Sequence, residues 1–176
     1  MSPPPPSIPA RPFGRRKPAV AGSGDVDARD LDDLGMRAAL ADARRHPAAP
    51  FGAAIVDVAS GAIVARGANR SRHDAVLHGE IVALRDAAVR EVARPWSGLA
   101  LYTTAEPCPM CAAASVWAGV GLVVFGVDIP WLHAAGWEQI DLRAAEVFAR
   151  SGKRAPQLRG GVHVDACRAL FEAARS

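Results

Sequence analysis

Two cysteines and one histidine carry the first chemical signal. The segment Pro107-Cys108-Pro109-Met110-Cys111 places two thiols at i and i+3. At the start of a helix that spacing can put both sulfurs on one side of a metal, and the helix N-terminus favours thiolate. Alone, a Cys-x-x-Cys pair is open to several readings: half of a structural zinc site, a redox pair, or two unrelated thiols. A structural zinc ribbon needs a second pair, and only Cys167 remains. A catalytic zinc needs three protein ligands and one open position. His78 can supply the third ligand, since it opens another helical segment, and Glu80 follows two residues on. A carboxylate facing the open position can take a proton from water and deliver it to a substrate. A non-catalytic zinc-stabilised domain has no need of Glu80 there.

These residues need elements to hold them. Apolar spacing predicts a helix from Asp30 to His46, stopped by Pro47. Phe51–Val58 and Ala62–Ala68 read as a hairpin around Ala59-Ser60-Gly61. A polar loop with three charges, Asn69–Leu77, precedes a helix from about His78 to Val92. Leu99–Thr103 is a strand, and Pro109 can open a helix running to about Ala118, because its missing N–H costs nothing in a first turn. Leu122–Gly126 is a buried strand, and 128–140 reads as irregular. A short helix over Leu142–Arg150, a last strand at Gly161–Val164 and a closing helix over Asp165–Arg175 complete the chain. Strands alternating with helices predict an α/β fold, a three-layer α/β/α sandwich on a mixed five-stranded sheet.

Composition narrows the class. The 176 residues are enough for about one domain. No apolar run reaches the roughly 18–20 residues of a membrane span. With no apolar stretch behind the first Met, no secretory leader is expected, and three cysteines cannot build a disulfide framework. A reducing, cytoplasmic setting is expected. Seven of the 14 prolines fall within residues 1–18, so 1–29 reads as a disordered Pro/Arg-rich tail and 30–176 as the folded domain. The tail carries much of the +3 net charge, and the remainder is near neutral. Bulk charge therefore does not point to nucleic acid. Arg70 and Arg72 are too few for a basic channel by themselves, although folding can bring others beside them.

The pattern His78-x-Glu80 followed by Pro107-Cys108-x-x-Cys111 is the known signature of zinc deaminases. Over roughly residues 31–176 the chain resembles the cytidine/deoxycytidylate deaminase superfamily. The resemblance is to the branch of guanine deaminases, tRNA adenosine deaminases and yeast-type cytosine deaminases. Further carriers are Pro50-Phe51-Gly52-Ala53-Ala54, Asn69 with Asp74, Tyr102-Thr103-Thr104-Ala105-Glu106 and Phe125-Gly126. The resemblance implies Zn²⁺ on His78, Cys108 and Cys111, with Glu80 as proton shuttle and Asn69 as a substrate contact. It places the backbone around Ala105 against the pocket, implies parallel fourth and fifth strands, and implies a homodimer.

Substrate signals are mixed. Leu77-His78-Gly79-Glu80 resembles the cytosine deaminase version of the motif, whereas the ending from Gly160 to Phe171 resembles tRNA adenosine deaminases. Phe51 is a candidate to stack on a base, and Trp131 and His133 are candidate pocket walls. Cys167 reads as a buried helix cysteine and Trp117 as a core or interface residue. The leading expectation is a hydrolytic deaminase of a free nucleobase: guanine, cytosine or a related aminated ring. The alternative is a tRNA-specific adenosine-to-inosine deaminase.

Overall fold

The structure, a computed structural model, describes residues 27–90, 95–152 and 155–175. Among these, α1 spans Ala28–Arg44, β1 Gly52–Asp57, β2 Ile63–Ala68, α2 Gly79–Val89 and β3 Leu99–Ala105. There follow α3 over Pro109–Ala118, β4 over Leu122–Val127, α4 over Ile129–Ala134 and α5 over Ala144–Ala149. Last come β5, Gln157–Arg159, and α6, Val164–Ala173. The expected tail lies outside the described residues up to 26, while Ala28 and Arg29 already belong to α1. The expected helix end at Val92 also lies outside them. No described helix is long and apolar enough to cross a membrane.

The five strands form one sheet in the order β2-β1-β3-β4-β5. β1 runs antiparallel to β2 and β3, while β3, β4 and β5 run parallel. This is the mixed sheet that the alternation of elements predicts. A strand covered on both faces can be apolar throughout, because successive side chains point to opposite sides. Ile55, Leu99, Leu101 and Val123 face a core shared with α2, α3 and α5. Their neighbours Val56, Ala100, Tyr102 and Val124 face a second core shared with α1 and α6. The result is the three-layer sandwich.

Two elements differ from the sequence reading. The last strand lies at Gln157–Arg159, not at Gly161–Val164. Gly161 has φ 81° and His163 φ 52°, values that break an extended run. Within the segment read as irregular, Ile129–Ala134 forms a helical turn and a half. Asp128 caps it by accepting from Trp131 N at 2.9 Å. Pro130 lies in the first turn, where it starts a helix instead of breaking one.

Candidate metal centre and active-site cavity

Parallel β3 and β4 carry α3 between them, so α3 begins at the carboxyl end of β3. His78 is the N-cap residue of α2, and Cys108 that of α3. Both helices begin in the same place, and their N-termini favour an anionic sulfur. Cys108 Sγ lies 3.5 Å from His78 Nδ1. One ligand atom each from His78, Cys108 and Cys111 lies within 4.8 Å of the others. Both thiols are buried and His78 is half-buried. The hydrogen bond from Cys111, aided by His78, holds Cys108 down to about 4. Cys111 is driven upward, chiefly by the same hydrogen bond. Two soft sulfurs and one imidazole, buried together and with one sulfur readily ionised, suit zinc.

Glu80 sits in the first turn of α2 and is 4% exposed. Its Oε1 accepts a hydrogen bond from Thr103 Oγ1 at 3.2 Å, from the end of β3. Burial, then the charge on Cys108, pushes its carboxyl upward. Gly79 is the small residue that lets this helix start come so close. A Cβ there would lie 2.6 Å from the carbonyl oxygen of Phe51. The same oxygen accepts Asn69 N at 2.9 Å.

Beside Glu80 lies a cavity of about 660 Å³. His78, Glu80 and Cys108 line it together with Phe51, Asn69 and Met110. Asn69 Oδ1 accepts from Ser71 N at 2.8 Å, which directs the amide nitrogen to other partners. Trp137, Glu138, Gln139 and Ile140 form the opposite wall. The Phe51 and Trp137 rings meet edge to face, with centroids 5.5 Å apart, and both pack on Phe171.

Ala105 is buried at the end of β3, while its neighbour Glu106 lines the cavity. Trp131 and His133 lie on α4 and are not among the lining residues. The Trp131 ring packs near Phe171, with the Arg168 guanidinium 5.7 Å from its centroid. His133 Nε2 donates to Gln139 O at 3.0 Å, so it bears on the wall from behind. Cys167 is fully buried in α6, and burial pushes its thiol up to about 12. Trp117 is 74% exposed on α3.

The matching model is that of the cytidine and deoxycytidylate deaminase zinc-binding region, over residues 30–127. The chain belongs to this family. The family binds zinc, and His78, Cys108 and Cys111 are this chain's candidate zinc triad. Family relatives differ in substrate. The guanine deaminase of Bacillus subtilis is 37% identical over 91 residues, 51% of this chain and 57% of that protein. The tRNA-specific adenosine deaminase of Agrobacterium fabrum is 36% identical over 100 residues, 54% of this chain and 64% of that protein. A solved structure of a NE0047 variant with 8-azaguanine shares the fold at TM-score 0.72 and 29% identity. That match covers 82% of this chain and 85% of the other. The chain spans only 23% of the tRNA(Ile)-lysidine synthase of Deinococcus radiodurans, which it matches over 143 residues at 36% identity.

Thr103, Glu106 and Glu138 carry no site signal of their own in the sequence, and Trp137 does so only as the end of the Trp131–Trp137 loop expected to shape the pocket. Trp137 and Glu138 lie within the Trp-rich segment after β4, where a wall was expected from Trp131 and His133. Thr103 and Glu106 stand beside Cys108 in the chain, but their partners are remote.

Proposed function

We propose that the chain is a zinc-dependent hydrolytic deaminase acting on a free nucleobase, guanine, cytosine or a related aminated ring. The observation that carries this reading is Glu80, a buried carboxyl held by Thr103 at the edge of a cavity lined also by His78 and Cys108, two of the three candidate zinc ligands. Bound there, zinc supplies a Lewis acid that makes water nucleophilic near neutral pH. Glu80 takes a proton from the attacking water and passes it to a ring nitrogen, and a second transfer goes to the departing amine. Oxygen bonds to the ring carbon, the exocyclic C–N bond breaks, and ammonia leaves. The Asn69 amide nitrogen donates to an acceptor on the ring. The Phe51 and Trp137 edges border the flat ligand, and the cavity falls in the size range of small-molecule sites. The similarity to structures solved with 8-azaguanine and 2,6-diaminopurine supports a purine-sized ring. A cytoplasmic homodimer paired through α3, where Trp117 is exposed, belongs to the same proposal; a monomeric mass in solution would remove the pairing.

A second reading, deamination of adenosine within tRNA, is supported by the match to tRNA-specific adenosine deaminases. An ammonia-release screen over free bases, nucleosides and an anticodon stem-loop separates the two. Turnover of a free base, with kcat/KM steady between about 50 and 200 mM salt, is the expected result. Inosine in the stem-loop, with no ammonia from any free base, would establish the second reading instead.

A further inference from the structure

One loop serves two depressions in the surface. Asn69, Ser71, Ala75 and His78 line the catalytic cavity. Arg70 and Leu77, alternating with them, line a separate groove of about 620 Å³. That groove runs between the end of α1 and the outer part of α2, along β2, the edge strand of the sheet. Arg70 N donates to Leu77 O at 2.8 Å, closing the loop at its neck.

The groove is rich in arginine. Arg45, Arg66, Arg70, Arg85 and Arg90 line it, against Asp42 and Asp86. Beyond residue 26 basic and acidic residues are equal in number, seventeen of each. The excess is therefore a local concentration in a balanced domain.

Some of this charge has local work. Arg90 Nε lies 2.9 Å from Asp86, one turn back on the helix. Arg45 and Arg66 reach the buried Asp42 at 3.6 and 3.8 Å, beyond hydrogen-bond distance, and Asp42 Oδ2 has no hydrogen-bond partner among the described residues. Arg45 also complements the carboxyl end of α1, and a charged Arg66 deters pairing along an open edge strand. Neither account reaches Arg70 or Arg85, which have no ion pair among the described residues. Planar guanidinium groups match the oxygens of phosphate in a two-pronged arrangement.

We propose that this groove binds a ligand carrying several phosphate charges, held by Arg70 and Arg85 with Arg45 and Arg66 flanking them. Such a ligand sits on the loop that carries Asn69 and His78, without entering the catalytic cavity. Consecutive phosphates come from a free oligophosphate or from the backbone of a single strand. The proposal is independent of which ring is deaminated, because its test reads binding and not turnover.

The test is calorimetric titration of the zinc-loaded full chain with sodium tripolyphosphate, and of Arg85→Gln and Arg70→Gln. Each removes a charge-assisted contact and is expected to weaken binding about tenfold. Zinc content and thermal midpoint are expected to match the parent, since both side chains are exposed. A single-stranded oligoribonucleotide that displaces tripolyphosphate identifies a strand as the source. Saturable tripolyphosphate binding that resists displacement identifies a free oligophosphate. Absence of saturable binding overturns the proposal. So does equal affinity in parent and variants, which would place the anion elsewhere, as on Arg11, Arg15, Arg16 and Lys17.

Discussion

Arg143 meets Glu106 side-on, with its Nε 2.7 Å from Oε2 and 3.0 Å from Oε1. The same carboxylate accepts Ile129 N at 3.1 Å and Ala144 N at 2.9 Å. It is almost fully buried, two residues before Cys108. One side chain thus joins the metal loop to the first residues of α4 and α5, which bracket the wall at 137–140. Removing it leaves two buried backbone donors unpaired and leaves the partly exposed Arg143 only the more distant Asp128, at 3.8 Å. Glu106→Ala is expected to lose about 3 kcal/mol of stability in urea unfolding. Glu106→Gln, which keeps the shape, is expected to raise KM more than it lowers kcat. An unchanged unfolding midpoint in Glu106→Ala would show that the network contributes nothing.

Metal analysis of the purified protein is expected to give about one zinc per chain, as one three-ligand site requires. Cys108→Ala and His78→Ala are expected to lose zinc and activity together. Full zinc content in both variants would refute the ligand set.

In the proposed site Glu80 carries protons and does not bind the metal, so Glu80→Ala is expected to keep zinc and fold. Its turnover is expected to fall by about 10²–10⁴-fold, the usual range for proton transfer by a positioned group. Thr103→Val keeps the shape and removes one hydrogen bond to that carboxyl. It is expected to lower kcat about tenfold with KM unchanged. Parent-like turnover in Glu80→Ala would leave the carboxyl without a chemical role.

The α1 start gives a sharper deletion experiment than the tail alone. Asp27 accepts Arg29 N at 3.0 Å as the helix cap. Deleting residues 1–26 is expected to leave stability and kcat/KM unchanged. Extending the deletion through Asp27 is expected to cost about 1 kcal/mol in urea unfolding. A tenfold fall in kcat/KM from the shorter deletion would show that the tail contributes to the site.

The ligands were legible in the sequence because their signal is local. His78 with Glu80, and Cys108 with Cys111, are short spacings at helix starts, and Pro109 marks one of those starts. The unbroken apolar runs of β1, β3 and β4 were legible for a similar reason, since burial on both faces leaves no alternation to misread. The positions of Thr103 and Glu106 beside the motif were equally visible, but not their roles. Those depend on Glu80, Ile129 and Arg143, which lie 23 to 37 residues away. β5 escaped because three residues at a sheet edge carry almost no pattern. Six residues with a proline carry too little pattern to separate helix from loop, so the sequence points to Trp131 and His133 as the wall. As a helix, that segment directs Trp131 toward Phe171 and leaves the cavity face to Trp137.

The close seating of Gly79 against Phe51 also bears on how such a site can diversify. The carbonyl oxygen of Phe51 fixes Asn69 through its backbone N–H and sets how near the zinc-bearing helix stands. Drift in that backbone would displace the start of α2, with His78 and Glu80, and Asn69 together. The wall at 137–140 hangs from a separate mount, the Glu106 carboxylate and the helices that it joins. The wall at 137–140 can therefore change shape without moving His78, Glu80 or Asn69, which separates the part of the cavity that fits a ligand from the part that would hold the metal.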